Sequence, residues 1–279
     1  MRHLGLAFFL ALTALPLMAG LIYALLFSLG IVGIIHDGFT LEYWGETLSG
    51  GEMWISLGYS LYVATVSSFL SIACALMLVI WGRAHFQKGL LSYAIYFPLA
   101  IPGIVAAFIV FQFMGKSGLL SRMTYGLGVT NAIETFPDLI HDAWGIGMIS
   151  AHVMLAVPFL LILFLNLAKN ERLEELSQLA ATLGALPGQI SRKIWLPILL
   201  KKSFPTLVLY FIFVLGAYEI PLLLGRESPQ MVSVLIIRKL QRYNLLDKPE
   251  AYIIALIYSV LVLSLLWMAL KNRQTSSSS

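Results

Sequence analysis

Glu171 to Ser203 reads ERLEELSQLAATLGALPGQISRKIWLPILLKKS. It is the one long polar interruption on its side of an otherwise apolar chain, and the reading of the fold starts here. Leu173, Leu176, Ala180 and Leu183 recur at helical spacing and form an apolar stripe. Glu174, Glu175, Gln178 and Thr182 lie largely off that stripe. Gly184 stands where a helix C-terminus takes a left-handed residue, and Pro187 follows it. A second amphipathic turn carries Ile190 and Ile194 with Arg192 and Lys193 between them, and Leu196-Pro197 leads into the next apolar segment. The spacing predicts two short helices joined by a turn.

On either side the chain is strongly apolar. Of 279 residues 59% are hydrophobic and 11% charged, against about 25% charged in a soluble domain. Mean hydropathy of +0.87 agrees. Runs with little or no charge cover residues 4–35, 53–82, 89–115, 144–168, 204–225 and 251–270, each near or above the ~20 residues that cross a bilayer as helix. The first run imitates a signal peptide but exceeds the ~7–15-residue apolar core of one, so it reads as an uncleaved span. Six spans make an all-α membrane protein, because helices satisfy their own backbone groups in lipid.

Six spans put both termini on one side. The side holding Glu171–Ser203 carries eleven Lys/Arg against three acids, +8; the other carries seven against eleven, −4. The excess of Lys/Arg sets both termini in the cytoplasm. A pI near 9.1 therefore reports topology, and no nucleic-acid partner is expected. Trp44, Trp54, Trp144 and Tyr43 fall near the outer boundary, as an aromatic belt does. Outside lie the acidic residues 36–52, the long loop 116–143 with Asn131, Glu134, Pro137 and Asp138, and residues 226–250. In the last, MVSVLIIRKLQRY is too short to span and reads either as an interfacial helix or as one packed on the bundle. Residues 1–275 read as one transmembrane domain, with a disordered tail at 276–279.

Glu171–Ser203 resembles the cytoplasmic signature of permease subunits of binding-protein-dependent ABC importers: Glu-Ala-Ala, three residues, Gly, nine residues, Ile-x-Leu-Pro. Gln178-Leu179-Ala180 stands for the first triplet, Gly184 for the glycine and Ile194-Trp195-Leu196-Pro197 for the end. Gln178 keeps hydrogen-bonding capacity and loses the charge. The resemblance implies a type I ABC importer permease-like bundle in a bacterial inner (cytoplasmic) membrane. It implies two permease subunits, identical or not, forming the solute pathway, with separate ATPase subunits binding ATP and Mg. It also implies a periplasmic or extracellular solute-binding protein. ATPase coupling then falls to Glu174, Glu175, Gln178, Ala180, Gly184, Ile194, Leu196 and Pro197.

No catalytic constellation or cofactor site is expected in this chain. Gly115-Lys116-Ser117 imitates the end of a phosphate loop, but Val110 stands where the earlier glycine belongs. The five histidines (His3, His36, His85, His141 and His152) show no metal spacing, and the lone Cys74 forms no intrachain disulfide. An ionisable group inside a span is a functional candidate. His152 lies in the fourth span, and Glu219 in the fifth is the one acid within any span. Glu219 reads as a pathway group for a cationic solute or as a carboxylate bonded to a neighbouring helix; Tyr218 and Pro221 flank it. Pro98, Pro102 and Gly103 break the third span, as a gate or a static kink. Tyr218–Gly225, YEIPLLLG, resembles the polyamine-type branch of these permeases. That makes a polyamine the first candidate solute, with thiamine, ferric iron and other small solutes open. A secondary transporter or channel working without ATP is the alternative class; it would need charged coupling groups at the midplane, where Glu219 and His152 are on offer.

Overall fold

The computed structural model describes residues 2–33, 38–86, 89, 91–130 and 135–277. His36, Lys88, Asn131 and Glu134 lie outside them, as do Ser278 and Ser279. Six helical stretches are long and apolar enough to cross a membrane: Phe8–Ser28, Gly51–Arg83, Gly103–Gly126, Ile146–Asn170, Pro187–Leu215 and Asp247–Lys271. Among the described residues there is no β-strand. This is an integral, all-helical membrane protein.

The chain groups into two compact units, Met1–Tyr59 with Gln230–Leu265, and Ser60–Pro229 with Leu266–Ser279. The first unit holds α1 (Arg2–Ser28), α2 (Glu42–Ser49), the start of α3 (Gly51–Phe86), α12 (Val232–Gln241) and most of α13 (Asp247–Ser277). Its core is Met53 and Leu57 of α3, Val232 and Leu235 of α12, and Ile254 of α13. Of the two readings of residues 231–243, the packed helix is the one observed: Val232, Val234, Leu235 and Lys239 are buried. Lys239 enters that core because Glu52 (2.9 Å) and Glu250 (2.5 Å) both receive its ammonium. Helix α13 runs to Ser277, so the expected disordered tail is helical at Ser276 and Ser277.

The second unit holds the rest of α3, α4 (Leu91–Ala94), a 3-10 turn at Phe97–Ala100, α5 (Gly103–Met114), α6 (Leu119–Gly126), α7 (Ile146–Asn170), α8 (Leu173–Thr182), α9 (Pro187–Ile190), α10 (Leu196–Leu215) and α11 (Glu219–Leu224). Its largest core joins Ala75, Leu76 and Val79 of α3, Leu160, Leu161, Phe164 and Ala168 of α7, Leu173 of α8, Trp195, and Leu199 and Leu207 of α10. Asp142 starts α7 by accepting the N–H groups of Trp144 and Ile146, each at 2.9 Å, which places a negative charge at the positive helix end. The Lys116 ammonium meets Asp138 at 2.9 Å, so the phosphate-loop mimic lies in a turn held by an ion pair.

Two departures from the hydropathy reading position the site. The apolar run 89–115 is not one helix. Pro98 and Pro102 lack donors, Ile101 before Pro102 is extended, and a continuous helix begins only at Gly103. The fifth spanning helix starts at Pro187 and stops at Leu215. It starts early because α9 continues through a π-turn, Ser191–Trp195, into α10. The Leu196 N–H reaches back to the Ser191 carbonyl, a wider loop that accommodates Pro197, which has no N–H to give. It stops where Gly216 ends α10. Glu219, read as inside this span, therefore lies beyond its end, on the first turn of α11.

Candidate functional site: a pocket at two helix breaks and an apolar ridge

The two breaks face each other. Helix α5 packs on α7 and α11, and a cavity of about 590 Å³ lies between Pro98–Gly103, His152 and Leu155 of α7, and Ile212–Ile220. At its wall the Ile104 N–H donates to Glu219 Oε2 at 3.0 Å. This is the neighbouring-helix bond foreseen for Glu219, made to a helix N-terminus. The absence of a side chain at Gly103 leaves room for it: a Cβ there would lie 2.9 Å from the same oxygen and displace the carboxylate. Among the described residues no Lys or Arg pairs with Glu219. His152, two residues into the second turn of α7, is 2% exposed, and its Nε2 has no hydrogen-bond partner. Tyr218 also lines the cavity. Pro221 does not: it is buried within α11. The pocket thus gathers three of the four residues singled out for a pathway.

At one end of this unit α8 is tied down by a cluster of side chains. Leu173 is fully buried, a burial that contributes about 1.5–3 kcal/mol. Trp195 Nε1 donates to Ser177 Oγ at 2.8 Å, and Ser177 donates to the Leu173 carbonyl at 2.6 Å. The Arg83 guanidinium stacks 4.5 Å from the Trp195 ring centre and bonds Glu174 at 3.2 Å. Lys202 pairs with Glu171 at 2.9 Å, and Arg172 reaches Glu175 at 3.8 Å. A buried indole N–H must find an acceptor, and that need fixes α8 across the π-turn.

The expected apolar stripe divides. Leu173 points into the core and Ala180 is half-buried, while Leu176 (40% exposed) and Leu183 (81%) face outward together with Leu179 (60%) and Leu186 (65%). The outward ridge therefore runs through Leu179 and Leu186, which periodicity had left off the stripe. The 3.6-residue phase of Leu176, Leu179 and Leu183 was the available signal. Gly184 has φ +86° and turns the chain between α8 and α9. Gln189 Oε1 then accepts the Leu186 N–H at 3.1 Å. Gln178 and Glu175 are exposed and line, with Glu174, a second cavity of about 760 Å³. Ile194 is half-buried beside the core that holds Trp195; Leu196 and Pro197 are exposed at the start of α10. Among the described residues no group of three or more His, Cys, Asp or Glu side chains could hold a metal.

Broken helices thus line a cavity in an all-helical membrane bundle that carries a helical elbow at one end. Residues 67–274 match the family described as binding-protein-dependent transport system inner membrane component, and the chain belongs to that family. It is 28% identical over 221 residues to the thiamine transport system permease protein ThiP of Brucella abortus (strain 2308), covering 77% of this chain and 38% of that protein. To ThiP of Escherichia coli (strain K12) it is 25% identical, over 81% of this chain and 41% of that one. To the probable ABC transporter permease protein y4fN of Sinorhizobium fredii it is 27% identical, over 65% and 30%. The chain spans less than half the length of these relatives. A bacterial ABC transporter involved in the import of the acidic polysaccharide alginate shares its fold, with a TM-score of 0.68 at 18% identity, over 97% of this chain and 94% of that one. The alginate transporter in complex with an alginate pentasaccharide-bound periplasmic protein gives a TM-score of 0.69 at 18% identity, over 96% and 91%.

Proposed function

We propose that this chain is the permease subunit of an ATP-driven importer, forming the solute pathway and coupling it to a separate ATPase that docks on α8. The observation that carries this is the ridge Leu176, Leu179, Leu183 and Leu186. Leu176 and Leu179 are exposed on α8, Leu183 at its C-cap and Leu186 just past the Gly184 turn, and α8 is anchored from behind by Leu173, Trp195 and Arg83. An apolar helical face outside the membrane is the form a groove accepts, and the anchored helix transmits a rigid-body push that a loop would absorb. Glu175 and Gln178 then contact the ATPase beside the ridge. Glu174 acts chiefly within the chain, as the partner of Arg83.

In this reading the end bearing α8 faces the cytoplasm of a bacterial cell, a second permease subunit, the same or a homologue, completes the pathway, and a solute-binding protein delivers solute on the opposite side. ATP and Mg are bound by the ATPase. The solute is a polyamine or another small solute. The polyamine reading is supported by the Tyr218–Gly225 resemblance, whereas the relatives above are named for thiamine transport, so thiamine transport stands beside it. The test is affinity purification of the tagged chain from its native membranes. We expect a Walker-motif ATPase to come with the wild-type chain and to be lost from the Leu179→Asp/Leu183→Asp variant. Retention by that variant overturns the docking face. Solute movement by the chain alone in liposomes without ATP would replace this reading with the secondary transporter.

A further inference from the structure

We infer that the cavity at the two helix breaks is a binding site for a small organic solute bearing a single positive charge, with Glu219 as its counter-charge. This deepens the pathway reading and rests on it, and among the solutes left open there it favours a monocation over a polyamine. Among the residues that line the cavity, Glu219 is the one acid and none is Lys or Arg. Apart from His152 of α7 the rest of the wall is apolar or aromatic, with Tyr218 next to Glu219 in sequence and Phe213 near the end of α10.

Each observation narrows the occupant. Glu219 is exposed to the cavity and no Lys or Arg among the lining residues neutralises it, so its charge is available to a cation. One carboxylate balances one charge. A polyamine would bring further ammonium groups and leave them unpaired against apolar walls, and an anion would meet Glu219 with no cation to receive it. Aromatic faces at Phe213 and Tyr218 suit a quaternary or ring-borne cation. His152 borders the same cavity from α7, its Nε2 buried and without a hydrogen-bond partner. A volume of about 590 Å³ fits within the ~300–1,000 Å³ of small-molecule sites.

The carboxylate is also held in place. Its Oε2 rests on the Ile104 N–H at 3.0 Å, at the positive end of the twelve-residue α5, and the lack of a side chain at Gly103 allows that approach. Glu219 thus faces the cavity from a fixed point, and its position depends on a residue that carries no charge.

The experiment uses the full chain, purified in lipid nanodiscs, and three probes: benzyltrimethylammonium, benzoate and spermidine. Binding is read by saturation-transfer NMR and titration calorimetry. Benzyltrimethylammonium is expected to bind, to be weakened at least about tenfold by Glu219→Gln, and to resist competition by benzoate. Spermidine binding is expected to be indifferent to Glu219→Gln. Gly103→Ala, which moves the carboxylate and keeps its charge, is expected to weaken benzyltrimethylammonium as well, so the inference stays testable should one variant fold poorly. Failure of benzyltrimethylammonium to bind the wild-type chain overturns the site. So do equal affinities for wild type and both variants, effective competition by benzoate, or a Glu219-dependent preference for spermidine. ATPase co-purification is scored on the same preparations. An ATPase recovered alongside Glu219-independent binding removes the cation site and leaves the importer reading standing.

Discussion

Lys239 shows how a single residue can carry both stability and its pH dependence. Its side chain is 7% exposed and meets Glu52 and Glu250, which are 49% and 26% exposed. Burial pulls its pKa down, but the hydrogen bonds and charges of Glu250 and Glu52 outweigh that, so the net direction is up from 10.5. A raised lysine pKa stabilises the fold fully below the unfolded value of 10.5. That contribution is lost as pH rises through the higher folded value. Lys239→Met is expected to cost about 2–3 kcal/mol at neutral pH, less than a fully buried pair because Glu52 is half in solvent. It should also flatten the alkaline loss of stability. Thermal unfolding in detergent from pH 7 to 12 measures both effects; the same alkaline slope in wild type and variant would assign the titration to another group. The pairing was invisible in sequence. Lys239 read as the basic end of an amphipathic segment, and its two acids come from α3 and α13.

At the scale of the element, α8 and its turn were legible and their orientation was not. Gly184 was identified from its place after a periodic run, and its φ of +86° agrees with a left-handed helix end. A Cβ at Gly184 would meet nothing within 4 Å, so the strain of a substitution there comes from the backbone alone. Gly184→Val is expected to cost about 1–2 kcal/mol, the penalty of the left-handed region for a residue with a Cβ. The turn relieves it by shifting α9 against α8. The variant should insert normally and recover about tenfold less ATPase, while Gly184→Asn, which tolerates this region, should stay close to wild type. Quantified co-purification checks both; full recovery with Val removes the turn from coupling. Periodicity found the leucines of α8 but could not rank their faces. Leu173 is buried because α7 and Trp195 lie over it, and Trp195 is 22 residues further along the chain.

For the whole molecule, the Lys/Arg imbalance of +8 against −4 between the two sides makes a topological prediction. A fluorescent protein fused after Lys271 should light up, and alkaline phosphatase fused at the same place should be inactive, since the Lys/Arg excess predicts both ends in the cytoplasm. The reverse pair of results would turn the bundle over and put α8 outside, where no ATPase could reach it.

Composition and periodicity alone determined that the chain is an all-helical membrane protein with six spans, and motif spacing located the helical elbow at α8 and α9. These are local properties: a long apolar run without prolines satisfies its backbone in lipid by forming helix. Tertiary structure decided the rest. It ended the fifth span at Leu215 and set Glu219 on the N-terminus of α5, 115 residues away along the chain. It stacked Arg83 on Trp195 and turned Leu179 and Leu183 outward. Such choices depend on which surfaces meet when helices pack, and no window along the sequence contains both partners.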